Sequence, residues 1–280
     1  MPEHQSSVEP VNRHGDAHSH SHGQGHDATE ADSWANKDYL NNPEALKLAK
    51  MSYDFIIQSL TSAGIDKDVY AKWDVLEIGC GPGVVTRHLL PTFNSVHAID
   101  NSQSMILLIS QYLPPETHQN FSYSLHTLSP DSSRLFSSGV PLKSPVSEDL
   151  ERELIPPRES FDLAVVNWVL HHVDDVPSFM GGAVGLLKEG GWLVITEMGR
   201  REGGDKIDEK PTPDGSFNAP DHYRSAYTPQ SLIDVFESHG LVDVHAELTA
   251  DMPVFGSKDR EGGRKVPALI VRGRKGDQKR

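Results

Sequence analysis

The sequence predicts an α/β fold: a mostly parallel sheet covered by helices on both faces, with an antiparallel edge. Three observations carry this expectation. Short apolar runs alternate with segments of helical periodicity, a glycine-dense turn follows the first of those runs, and the last two runs follow one another with no helical segment between them.

Asn42 and Pro43 supply an N-cap and a preset first helical residue. Leu46, Ala49, Tyr53, Ile56, Ile57 and Leu60 then recur at helical spacing until Gly64. Asp74 to Ile78 reads as a buried strand that runs into Gly79-Cys80-Gly81-Pro82-Gly83, after which Val84, Val85, His88, Leu89 and Leu90 predict a helix. A second strand covers Ser95 to Ile99 and ends on Asp100. It is followed by a helix over Ser102 to Tyr112 and strands over Phe121 to Leu128, Phe161 to Val166 and Trp192 to Thr196. Thr228-Pro229 caps a helix carrying Leu232, Ile233, Val235 and Phe236, and strands near Leu241 to Leu248 and Val266 to Arg272 form the antiparallel edge.

Three stretches stand apart from this alternation. Residues 1–33 have almost no large apolar side chains, so nothing there offsets the entropy of ordering them, and a disordered tail is expected. His14, His18, His20, His22 and His26 within it are spaced closely enough to chelate a transition metal, or else form a solvated tail with adventitious metal affinity. Residues 129–160, which include Pro141, Pro145, Pro156 and Pro157, exceed the usual connection length and read as a functional lid or a disordered insertion. Residues 199–227 are irregular and are expected to border the substrate.

The chain of 280 residues suffices for one catalytic domain, expected over residues 34–280, with residues 34–66 as an N-terminal lid and helix. A formal charge of −14 with no concentrated basic stretch disfavours phosphate backbones, so nucleic acid is not expected as a partner. No run approaches the roughly 20 apolar residues of a membrane span, and the N-terminus lacks the basic start and apolar centre of a signal peptide. A soluble cytoplasmic protein without membrane partners is the expectation. Cys80 is the only cysteine, which excludes an intrachain disulfide or a thiolate metal cluster, and no metal is expected in the site.

The chemistry concentrates at Glu77-x-Gly79-x-Gly81-x-Gly83 between a strand and a helix, where bare backbone lets a nucleoside-containing ligand approach closely. A dinucleotide fingerprint would need a third glycine or alanine three residues past the second. That offset holds Val84 counted from Gly79 and Thr86 counted from Gly81. A carboxylate at position 77 would also repel a pyrophosphate but suit a ligand with a sulfonium and an α-amino group.

Val75-Leu76-Glu77-Ile78-Gly79-Cys80-Gly81-Pro82-Gly83 resembles motif I of class I S-adenosylmethionine-dependent methyltransferases. His97-Ala98-Ile99-Asp100, Phe161 to Asn167 and Gly185 to Ile195 resemble, in the same order, the family's second-strand, fourth-strand and fifth-strand motifs. Asn167-Trp168-Val169-Leu170-His171-His172-Val173-Asp174-Asp175 is similar to the small-molecule branch related to ubiquinone-pathway methyltransferases, and the likeness covers about Asp74 to Val244. The resemblance implies a Rossmann-like, doubly wound, seven-stranded sheet with S-adenosylmethionine as cofactor and a small molecule as methyl acceptor.

It further implies Asp100 on the ribose hydroxyls, Gly79, Gly81 and Gly83 beside the methionine moiety, and Glu77 orienting that moiety directly or through water. Asp131 falls where the family often accepts from the adenine amine, or is a surface turn residue. Asn167 is expected to face the cofactor's reacting end. Trp168 and Val169 stand where a proline pair would grip amide or nucleobase nitrogens, which disfavours those acceptors.

His171 and His172 are candidates for a general base, or else cap and pack the following helix. Trp34 and Tyr39 either close over the cofactor or belong to the core. A nicotinamide-dependent oxidoreductase, a non-catalytic subunit with this fold and a protein methyltransferase remain as alternatives, because fold alone does not establish activity.

Overall fold

The computed structural model describes residues 39–114, 117–137, 160–201, 227–253 and 265–277. The His-rich tail, Trp34 and most of the 129–160 and 199–227 stretches lie outside the described residues.

Helix α1 spans Pro43–Ser62, and the Asn42 side chain accepts from Glu44 N–H and Ala45 N–H at its start. A single turn, α2, covers Lys67–Tyr70 and precedes β1, Asp74–Ile78. The chain continues through α3 (Thr86–Leu89), β2 (Ser95–Asp100), α4 (Gln103–Tyr112), β3 (Phe121–Leu125) and α5 (Ser132–Ser137). It then forms β4 (Phe161–Asn167), a 3-10 turn at Leu170–His172, α6 (Val176–Gly185) and β5 (Leu187–Met198). Helix α7 (Pro229–Ser238) and strands β6 (Leu241–Pro253) and β7 (Lys265–Lys275) complete it.

The seven strands lie in the order β3-β2-β1-β4-β5-β7-β6. β1 to β5 pair in parallel, while β7 runs antiparallel to both β5 and β6. Strand order reverses between β1 and β4, and ligands bind in the crevice at the carboxyl ends of strands around such a reversal.

Alternation along the strands divides the core in two. Val75, Val96, Leu163, Val165 and Val194 pack with Ile56 and Leu60 of α1 and Ile106 and Ile109 of α4. On the other face Leu76, Ile99, Val166 and Ile195 pack with Phe179 and Met180 of α6 and Leu232 and Phe236 of α7. Near-continuous burial of β1, β2 and β4 follows from this double coverage.

The differences from the sequence expectations are local. The helix after the glycine turn is only Thr86–Leu89, because Val84 and Val85 belong to the turn that carries the chain out of Gly83, and Pro91 follows at once. β3 stops at Leu125 and not at Leu128: His126 N–H still donates to Asp100 O, but Ser132 Oγ then takes Ser129 N–H and closes a turn. β5 begins at Leu187, five residues before Trp192, because Leu187 already pairs with Phe161 across a register shift in β4. Within the 129–160 stretch, Ser132–Ser137 forms α5. The Cα of Gly182 in α6 lies so close to the Ser129 carbonyl that a Cβ there would collide with it.

Candidate functional site

The Gly79–Gly83 turn leaves β1 at the carboxyl edge, beside the ends of β2 and β4. Gly79 N–H and Cys80 N–H both donate to Ile99 O at 2.8 and 3.1 Å, which ties the turn to β2. Gly79 has φ 70°, and a Cβ on it would run into the Val169 side chain, so the turn and the segment after β4 press directly together. At Gly81, with φ 53°, none of the described residues would come within 4 Å of an added Cβ, so among them the backbone is bare toward a ligand.

Asp100 ends β2 and organises this turn. Its Oδ2 accepts from Gly81 N–H at 2.9 Å and its Oδ1 from Ser102 N–H at 2.9 Å. Burial pushes its carboxyl pKa up, while the N–H groups of Ser102, Gly81 and Asn101 pull it down. Glu77 sits beneath the turn, 2% exposed, and its Oε2 accepts from the Thr86 hydroxyl at 2.6 Å. Burial raises its pKa to about 8, against the lowering effect of Thr86 and with a further rise from the Asp100 charge. Cys80 is buried, and burial, with the nearby Asp100 and Glu77 side chains, pushes its thiol well above the usual range, which disfavours the thiolate.

Tyr39, at the start of the described chain, is half-buried with its phenol raised to about 12 by burial and then by the Asp100 charge. The segment before α1 therefore reaches the Asp100 end of the site. Asp131 is exposed at the start of α5, with its carboxylate 3.8 Å from Arg134. Its adenine role thus has only the support of sequence position.

Asn167 ends β4. Its Oδ1 and Nδ2 are buried with no hydrogen-bond partner, as is Oγ1 of Thr196, the residue beside it in β5. Three orphaned polar atoms at one strand edge cost about 1–3 kcal/mol each unless a ligand or water satisfies them. Trp168 takes φ 58° immediately afterwards and donates its indole N–H to Ser52 Oγ of α1 at 2.8 Å.

His171 follows in the 3-10 turn. Its Nδ1 lies 2.7 Å from Glu197 Oε1 and its backbone N–H donates to Glu197 Oε2 at 3.1 Å. Glu197 is fully buried near the end of β5 and also accepts from Met198 N–H at 2.7 Å. The His172 ring stands 3.9 Å from that of His171. Tyr227, bridged to the chain beside Gly199, has its phenol raised to about 12 by burial and then by the Glu197 charge. Glycine spacing and strand ends reveal Glu77, Gly79, Gly81, Gly83, Asp100 and Asn167 in the sequence. Glu197, Thr196 and Thr86 are not found that way, although a glutamate inside a buried strand demands a partner and is itself a signal.

The donor set fits a cationic nucleoside. Two carboxyl groups, of Asp100 and the buried Glu77, flank the glycine turn, and among the described residues no group of three or more His, Cys, Asp or Glu is arranged to hold a metal. Among the described residues no helix is long and apolar enough to cross a membrane.

The chain is 24% identical over 172 residues to an uncharacterized methyltransferase of Schizosaccharomyces pombe, covering 60% of this chain and 52% of the relative. It is 26% identical over 172 residues to a ubiquinone biosynthesis O-methyltransferase of Rickettsia felis, covering 60% and 57%. The chain thus spans little more than half the length of these relatives. A crystal structure of the N-methyltransferase NodS from Bradyrhizobium japonicum with S-adenosyl-L-homocysteine matches at a TM-score of 0.51 and 16% identity, covering 89% of this chain and 98% of that one. That likeness supports the fold. Residues 47–246 match the model of a methyltransferase domain, and the chain belongs to that methyltransferase-domain family.

Proposed function

We propose that this protein binds S-adenosylmethionine across the carboxyl ends of β1, β2 and β4 and transfers its methyl group to a small-molecule acceptor. One observation carries the reading: an open Gly81 backbone, clamped by Asp100 and set beside buried Glu77, at the strand-order reversal of a methyltransferase-domain chain. The Asp100 carboxylate there, beside a Glu77 carboxyl that a bound cation would draw toward its charged form, favours a sulfonium with an α-amino group over a pyrophosphate.

In this reading Asp100 takes the ribose hydroxyls, Gly79, Gly81 and Gly83 line the methionine portion, and Glu77 orients it. Asn167 meets the reacting end, which would satisfy its orphaned amide, and Asp131 is kept for the adenine amine. His171 and His172 stand on the acceptor side. The bound cofactor supplies an electrophilic methyl group on a leaving group that departs neutral, so transfer depends on in-line positioning by the chain. A cytoplasmic location and a partner list without nucleic acid belong to the same proposal, supported by the acidic charge.

Calorimetric titration with S-adenosylhomocysteine tests it. Saturable binding, weakened in Asp100→Ala and in Gly81→Arg, is expected, and absence of binding to the wild type would overturn it.

A further inference from the structure

A buried polar atom without a hydrogen bond costs free energy until a ligand or water meets it, so a gathering of such atoms marks a place built for an occupant. Among the described residues Asn167 Oδ1 and Nδ2, Thr196 Oγ1, Arg200 Nε and Arg272 Nε are in this state. All but the last share one face of the β4–β5 end. Asn167 pairs with Thr196, and two residues before each, Val165 and Val194 belong to the core cluster under α1. Side chains alternate along a strand, so Thr196, Met198 and Arg200 continue that row. Gly199 turns the other way, where an added Cβ would meet Leu248 and Leu269. Arg272 stands apart, opposite Val194 in β7 and near the charge of Glu247.

Arg200 is held by its backbone at the carboxyl edge. Its N–H donates to Tyr227 O at 2.8 Å, and Tyr227 N–H donates to Met198 O at 3.3 Å. A guanidinium is always charged, can only donate, and is rarely buried without a partner. Acidic partners are plentiful, since the chain has 40 Asp and Glu against 26 Lys and Arg. Lys188 meets Asp162 at 2.8 Å and Arg274 meets Asp243 at 2.9 Å, yet no ion pair among the described residues includes Arg200. Thr196 is 0% exposed, and its hydroxyl can both donate and accept, as can the Asn167 amide. The row therefore offers a neutral polar pair beside the methyl-donor site and a cation farther along the same strand.

We propose that Arg200 and Thr196 are specificity-determining residues of an acceptor subsite. Arg200 takes the carboxylate of a small organic acid, and Thr196, with Asn167, takes the hydroxyl or amine of that acid next to the cofactor's methyl group. That the acid is the methyl acceptor rests on the methyl-transfer reading. The planar fork of an arginine matches a carboxylate with two parallel N–H bonds, which a neutral group cannot replace at equal strength. Four strand residues separate Thr196 from Arg200, roughly 13 Å between their Cα atoms. The carboxylate and the methylated group thus sit at opposite ends of the acid and not on one carbon.

The test titrates full-length protein, saturated with S-adenosylhomocysteine, with 4-hydroxybenzoate and 4-hydroxyphenylacetate and with the methyl ester of each, which removes the charge. At least one acid should bind about tenfold or more tightly than its ester, the scale of one charge-assisted pair. Arg200→Met should abolish that preference and Arg200→Lys should keep part of it. Thr196→Val should weaken acid and ester alike. Its melting temperature without ligand should equal or exceed the wild type's, because the change deletes a buried hydroxyl that has no partner. Acids that bind no better than their esters, or a preference that survives Arg200→Met, overturn the proposal. Unchanged binding or a lowered melting temperature in Thr196→Val overturns the part given to Thr196. S-adenosylhomocysteine is titrated alone first, so failure of the methyl-transfer reading shows as absence of that binding, whatever the acids do.

Discussion

Both oxygens of Asp100 are engaged by backbone N–H groups, Gly81 on one side and Ser102 on the other, so this side chain shapes the glycine turn before any ligand arrives. Charge-assisted bonds of this kind contribute about 1.5–3 kcal/mol each. Asp100→Ala should therefore weaken S-adenosylhomocysteine by at least about tenfold, read by calorimetry, and Asp100→Asn should fall between it and the wild type. Glu77 gives a pH signature. Its folded pKa of about 8 lies above the ordinary glutamate value, so the native state holds a proton that the unfolded chain has already released. Its contribution to stability is complete at low pH, declines from about pH 4.5 and is gone above about pH 8. Glu77→Gln should remove that decline, and its melting temperature should exceed the wild type's at pH 8. His97 acts on the other side: its ring is buried against Ser122 Oγ at 2.7 Å and Ser124 Oγ at 3.1 Å, and burial lowers its pKa to about 4. The stability it contributes is present above about pH 6.5 and is lost as pH falls toward 4, and His97→Gln should flatten that acid limb in a series of thermal melts.

Among the elements, the segment after β4 joins the parts of the site. Trp168 hangs from Ser52 of α1 through its indole N–H, and Val169 fills the space over Gly79. Ser52→Ala leaves the indole N–H without its acceptor, and should lower stability by about 1–3 kcal/mol in denaturant melts. Gly79→Ala, which meets Val169 in a left-handed backbone, should be more damaging and should reduce cofactor affinity as well. The strand order and helices α1, α3, α4 and α7 were legible in the sequence because apolar periodicity and capping pairs are local signals, with Asn42-Pro43 and Thr228-Pro229 beginning helices as their chemistry demands, whereas α2, α5 and α6 were not set out from it. The extents of β3 and β5 were not, since Ser132 closing a turn and Leu187 pairing with Phe161 are tertiary events. The site divides in the same way. Gly79, Gly81 and Asp100 announce themselves by spacing, but Glu197 becomes meaningful only when β5 lies beside the turn that carries His171, 26 residues away in sequence.

At the scale of the whole molecule, the order β3-β2-β1-β4-β5-β7-β6 places the β1 and β2 ends, which carry Glu77, the glycine turn and Asp100, next to the β4 and β5 ends, which carry Asn167, His171 and Glu197. In the proposed function these are the cofactor and acceptor halves, which meet at one edge over the two core clusters that cover the sheet's faces. Because a ligand that binds only the folded state stabilises it by RT ln(1 + [L]/Kd), S-adenosylhomocysteine at 100 times its Kd should add about 2.7 kcal/mol to unfolding. The measurement closest to the central claim is paired calorimetric titration of the purified protein with S-adenosylhomocysteine and with NAD. Saturable one-site binding of the first and none of the second is the predicted result. Binding of NAD alone, or of neither, would contradict the claim that this edge is built for a methyl donor.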